Sequence, residues 1–181
     1  MKLLTRELSI SMLFLMVLGV TSCSSLSTSP DKLVKDAQNA KEAMIEAQPD
    51  IQELFQTSAG YAIFPNVGKG AYVLGGASGN GILYENGNMQ GYTELKQLDI
   101  GFQIGGKAYR EVIFFQTDSA VEDFKSGDYE LTANASAVIL EKGRSKSIDF
   151  QDGVGVAIMP KAGAMAGVSV GGQKFEYRDA Q

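Results

Sequence analysis

Few side chains in this sequence are equipped for chemistry, and their types narrow the field quickly. The 181 residues include one cysteine, Cys23, and no histidine. Without histidine there is no Ser-His-Asp or Cys-His nucleophile system, and the commonest zinc ligand is missing too. Acids occur as Glu122-Asp123 and as Asp149 with Asp152. Two acids do glycosidase chemistry only at a fixed separation across a cleft, and spacing along the sequence does not supply one. Asp50 and Asp118 are better used as helix caps. No catalytic residue, metal site or cofactor is expected, and no enzyme activity. The densest basic run is Lys142, Arg144 and Lys146. Spaced by two on an extended segment, these side chains point to one side and can meet lipid phosphates, each contributing about 1 kcal/mol near a charged surface. The competing reading is a solvated hairpin tip guarding an apolar strand. Lys107 with Arg110 repeats the idea on a smaller scale, at a turn between strands.

Cys23 has a different setting. A basic start (Lys2, Arg6) leads into the apolar stretch from Leu8 to Val20, followed by Thr21-Ser22-Cys23. The stretch is short for a membrane helix, and its flanks read as an export signal. An aliphatic residue, two small residues and a cysteine resemble the end of a bacterial lipoprotein signal. That resemblance implies a diacylglycerol on the thiol, cleavage before Cys23 and acylation of the new amino group. An ordinary signal cut near Ser22 would leave an odd free thiol. Two or more acyl chains make anchoring stable, at about 0.8 kcal/mol per buried methylene. Ser24 follows where an inner-membrane retention signal carries Asp, so the expected address is the outer membrane, facing the periplasm.

The expected organisation is a leader (1–22), an acylated cysteine with a polar tether (23–30) and one domain (31–181). Removing Lys2, Arg6 and Glu7 with the leader leaves 159 residues with 14 basic and 20 acidic side chains, net −6. That balance argues against general nucleic-acid binding, which draws its affinity from Lys and Arg on phosphates.

The elements that must position these groups follow from periodicity. Leu33, Ala37, Ala40, Met44 and Ala47 recur at helical spacing through 31–48, with Ser29 as N-cap and Pro30 at the first position. Pro49 interrupts, and Asp50 can cap a short second helix burying Ile51, Leu54 and Phe55. The mixed charges Lys32, Lys35, Lys41, Asp36, Glu42 and Glu46 give the long helix an ordinary solvent face rather than a basic membrane face. Strand texture follows at 61–64, 71–74, 82–84, 91–95, 98–107 and 109–116, with hairpin dipeptides Asn86-Gly87 and Asp152-Gly153. A helix is expected at 118–126, capped by Thr117, Asp118 or Ser119 and stopped by Gly127. Alternating Tyr129, Leu131, Ala133, Ala135 and Ala137 predict a strand, and further strands are expected at 154–159, 164–170 and 173–178. No stretch matches G-x-x-x-x-G-K-[ST], so the 21 glycines read as bulges, turns and close strand approaches in a curved sheet. The class is α+β: N-terminal helices on a curved, mostly antiparallel sheet, sandwich- or barrel-like, with one short inserted helix.

The sequence also echoes itself. Ala62-Ile63-Phe64-Pro65-Asn66-Val67-Gly68 aligns without gaps with Ala157-Ile158-Met159-Pro160-Lys161-Ala162-Gly163. Two copies this far apart are not a solenoid. They reflect either an old duplication or two strands meeting one local demand.

These ordered blocks resemble the SYLF domain, also called the yeast actin-binding lipid-binding domain. The likeness runs from about Ala59 to Tyr177. It rests on Gly60-Tyr61-Ala62-Ile63-Phe64-Pro65, the Gly75–Gly81 strand and Asp99-Ile100-Gly101-Phe102-Gln103-Ile104-Gly105-Gly106. It continues through Glu111–Thr117, Ala120–Phe124, Ala133-Asn134-Ala135-Ser136 and Gly163–Val170. The resemblance implies lipid binding, with phosphoinositides as ligands of eukaryotic members, and brings no catalytic residues. Residues 141–147 depart from the family's Gly-Pro-Leu-Gly-Arg type stretch. An exported lipoprotein does not meet actin, so lipid or another amphiphile is the expected partner. The alternative is an envelope assembly protein working through protein contacts on a sheet edge.

Overall fold

The computed structural model describes residues 29–68, 76–98, 108–132, 135–144, 146–161 and 170–180. The leader, Cys23, Lys107, the strand expected at 71–74 and most of those expected at 98–107 and 164–170 lie outside them. Helix α1 spans Pro30–Ala47 and buries Leu33, Ala37, Ala40, Met44 and Ala47, the stripe its spacing predicts. Ser29 holds the N-cap position, where its carbonyl accepts from the Leu33 N–H at 3.0 Å, but its side chain makes no capping bond. Helix α2, Ile51–Thr57, buries Ile51 and Phe55. Asp50 precedes it with helical angles (φ −60°, ψ −24°) and does not cap it through its side chain, because a side-chain cap needs an extended residue there. Helix α3, Asp118–Lys125, is capped by Thr117, whose hydroxyl accepts from the Ala120 N–H at 3.2 Å.

Nine strands make up the described sheet: β1 Gly60–Gly68, β2 Gly76–Glu85, β3 Asn88–Leu98, β4 Tyr109–Phe115, β5 Tyr129–Glu130, β6 Ala137–Ile139, β7 Phe150–Gln151, β8 Val154–Pro160 and β9 Gln173–Asp179. Their order is β5-β9-β3-β2-β1-β4-β8-β6, with β7 also on β8. The pairings are antiparallel except β6 on β8. The central strands are apolar on both sides. Tyr61, Ile63, Ile82, Val112 and Phe114 pack under α1 and α2 on the outer face. Ala62, Phe64, Leu83, Ile113 and Phe115 face the inner side, with α3 and Phe175.

The inner side is concave. Four steps separate β9 from β4 in the order, about 19 Å in a flat sheet at ~4.8 Å per strand. Yet Gln173 Nε2 donates to Glu111 Oε2 at 3.1 Å, and the Phe64 and Phe175 rings lie 5.6 Å apart. The sheet therefore curls into a half-barrel. Glycine permits the close packing this needs. A Cβ at Gly81 would stand 2.5 Å from the Phe64 ring, and one at Gly91 would collide with the Arg178 carbonyl.

Two expectations change. The strand predicted through 129–137 is two strands on opposite edges, β5 beside β9 and β6 beside β8. Between them Ala135 N–H donates to the Thr132 carbonyl at 2.9 Å, a turn. The described flanks already follow different strands, since the Leu131 N–H donates to the Gln173 carbonyl at 2.9 Å and the Leu140 N–H to the Ile158 carbonyl at 2.8 Å. The internal echo also proves inexact in space. Ala62 faces inward and Ala157 outward, whereas Ile63 faces outward and Ile158 inward. Both copies flank β4, one residue out of step. Strands buried on both faces tolerate this, so the echo reflects a shared local demand.

Candidate functional site: a groove under helix α1 and a buried carboxyl

A groove of about 440 Å³ runs between α1 and the β2–β3 hairpin, within the ~300–1,000 Å³ of small-ligand sites. Val34, Lys41 and Ile45 line it from α1, and Tyr61, Ile63, Tyr84 and Met89 from the sheet. The hairpin turn at its rim is the expected one, with Asn86 (φ 50°) and Gly87 (φ 79°) both left-handed. Tyr61 and Tyr84 stack with ring centroids 5.0 Å apart.

Lys41 is the unusual group here. Its ammonium lies 4.8 Å from the Phe55 ring centroid and 4.9 Å from that of Tyr61, and donates to the Tyr61 hydroxyl at 3.0 Å. Burial lowers its pKa with no carboxylate among the described residues acting against that. Burial pushes the Tyr61 hydroxyl up to about 12, and raises Tyr84 as well, so both phenols stay protonated at neutral pH. The groove thus offers an apolar floor and a partly buried cation for which the described residues supply no counter-ion.

A second polar group sits inside the half-barrel. Glu111 and Gln173 are fully buried, and Gln97 and Tyr109 nearly so. The Gln173 amide nitrogen lies 3.1 Å from Glu111 Oε2, 3.3 Å from Gln97 Oε1 and 3.5 Å from the Tyr109 hydroxyl. Burial pushes the Glu111 pKa up to about 8, with the Gln173 bond acting weakly the other way. Glu111 Oε1 and Gln173 Oε1 have no hydrogen-bond partner among the described residues.

The basic residues singled out from sequence are spread apart. Lys142 and Arg144 occupy a tight turn, closed by the Glu141–Arg144 bridge, and not an extended strand. Lys142 pairs with Glu46 at 2.6 Å and Arg144 with Glu141 at 3.0 Å, all exposed. Lys146 is exposed, and its carbonyl accepts from Gln48 Nε2 at 2.7 Å. Arg110 lies on β4, near enough to Lys161 to lower its pKa, in a neighbourhood that includes Lys32 and Asp36 of α1. Ten residues of helix, about 15 Å, separate that neighbourhood from Glu46, where Lys142 docks.

Lys41 and Glu111 escaped the sequence reading. Lys41 was counted on the solvent face, although it follows Ala40 and precedes Met44 by three, directly beside the buried stripe. Glu111 heads the apolar run Val112–Phe115, and an acid at an inward position of a strand buried on both faces was its signal.

A curled α+β half-barrel, with α1 and α2 on the outer face, α3 on the inner side and a polar cluster within, defines the class. Residues 96–181 match the family Ysc84, described as Las17-binding protein actin regulator. The part of the chain from the end of β3 onward is therefore similar to this family, the same SYLF likeness that the sequence blocks suggest. The match takes in the end of β3 and everything after it, so the blocks at 60–65 and 75–81 precede it. The chain is also similar to Beta cell expansion factor A of Aeromonas veronii, 24% identical over 141 residues, or 77% of this chain. It spans about half the length of that relative, 53%.

Proposed function

We propose that this chain is a non-enzymatic lipid-binding protein of the bacterial envelope. It is tethered to the outer membrane through acylated Cys23, faces the periplasm, and takes up phospholipid or another amphiphile. The observation that carries this reading is the groove under α1, where the Lys41 ammonium, without a counter-ion among the described residues, stands above an apolar and aromatic floor. An amphiphile supplies what is missing there, an anion for Lys41 and hydrocarbon for Val34, Ile45 and Met89. The tether supports it, since a site held close to a membrane works at high effective concentration even with weak intrinsic affinity. That removes the need for a large basic surface on an acidic protein. The actin role in the family description is not carried over, because an exported protein does not meet actin.

The test is mass spectrometry of the detergent-extracted native protein. The expected result is an N-terminal peptide bearing diacylglycerol and an acyl group on Cys23, with an amphiphile co-purifying that Lys41→Gln loses. An unmodified Cys23 would remove the membrane assignment. A protein that carries no amphiphile, and crosslinks in cells to a stoichiometric protein partner, would favour the assembly role instead.

A further inference from the structure

Granting the amphiphile-binding reading, we infer that the occupant of the α1 groove is a single-chain carboxylate, a long-chain fatty acid, and not a diacyl phospholipid. Three features of the groove select it. The first is size. At ~30 Å³ for each water-sized group, a groove of about 440 Å³ holds about fifteen such groups, enough for most of one long acyl chain and its carboxylate and too few for two chains.

The second is the pair of donors. The Lys41 ammonium and the Tyr61 hydroxyl stand 3.0 Å apart. The hydroxyl oxygen accepts from Lys41, which leaves the hydroxyl hydrogen and the remaining ammonium hydrogens for a ligand. Two adjacent donors of this kind suit the two oxygens of one carboxylate, each bond being charge-assisted. The third is charge. Glu42 lines the same groove, so a phosphomonoester headgroup of two charges meets repulsion that a singly charged carboxylate largely escapes, while a singly charged phosphodiester such as phosphatidylglycerol is disfavoured by its second acyl chain. Lys41 remains available because its neighbours are neutral rings and a phenol, whereas Lys32, Lys125 and Lys142 are held by carboxylates.

The experiment is native mass spectrometry of the full-length, detergent-exchanged and delipidated protein, titrated separately with palmitate, hexadecanol and dipalmitoyl phosphatidylglycerol. Palmitate is expected to bind one per chain, at least tenfold tighter than either of the others. Lys41→Gln should weaken palmitate at least tenfold and leave hexadecanol unchanged, which also reports an intact fold. Glu42→Gln should strengthen palmitate severalfold, a gain that no folding defect imitates. Retention of phosphatidylglycerol without palmitate would overturn the inference and leave the lipid-binding reading standing. Retention of none of the three would overturn both. Equal palmitate binding by wild type and Lys41→Gln would overturn the inference alone.

Discussion

Raising the pH from 5 to 9 should remove much of the stability that a neutral Glu111 allows. The carboxyl is fully buried, and its pKa moves from 4.5 to about 8 because burial penalises the charged form. Between those values the folded protein keeps a proton that the unfolded chain has released. Stability is therefore full below pH 4.5 and falls as pH rises toward 8. The decline follows linkage at about 1.4 kcal/mol per pH unit, so the three units between pH 5 and 8 amount to on the order of 4 kcal/mol. That is a large share of the ~5–15 kcal/mol that stabilises a typical domain. Urea unfolding at pH 5, 7 and 9 measures it, with Glu111→Gln as the comparison. The variant keeps the shape and hydrogen-bonding capacity and has no proton to lose. Wild type should lose on the order of 4 kcal/mol relative to the variant across the range. Parallel decline of the two proteins would refute the reasoning, because it would mean that Glu111 is not held neutral by the interior.

Other expectations follow from packing. Phe124→Ala empties a fully buried position whose ring meets Phe115, Tyr129 and Phe175 at 5.0, 5.5 and 5.5 Å, and should cost about 3–5 kcal/mol in urea unfolding. Thr117→Ala removes the α3 cap and should cost about 1 kcal/mol by the same assay. Gly81→Ala drives a methyl into the Phe64 ring and should destabilise by about 1–3 kcal/mol, seen as a lowered melting temperature. Replacing Lys142 and Arg144 together by Ala should leave the melting temperature unchanged, since both pairs are solvent-exposed. The same double variant should also keep its affinity for palmitate, which binds under α1.

Local features were legible because their physics is local. The α1 stripe follows from a 3.6-residue period, and the turns at Asn86-Gly87 and Asp152-Gly153 from residues that tolerate positive φ. Thr117, among three candidate caps, was decided by the extended angles it adopts (φ −131°, ψ 154°). Closure was less legible, because it depends on contacts such as Gln173 with Glu111, 62 positions apart. The division of 129–137 between two edges belongs to that closure as well. Lys41 was hidden for a related reason. A helix face counts as solvent until the hairpin that covers it is known, and here Tyr61 and Tyr84 arrive from β1 and β2 to desolvate it.

The cross-barrel contact also has a kinetic side. Strand β9 joins β3 through pairs such as Gln97 with Gln173, 76 positions apart. Pairings of that range close slowly and late. A chain in which β9 has not yet docked exposes Glu111 to water, and there at neutral pH the carboxyl is ionised. Seating Gln173 over it then requires a proton from solvent, so the last pairing step is also a proton uptake. Refolding should accordingly slow as the pH rises, a dependence that Glu111→Gln lacks although its β9 must dock as well.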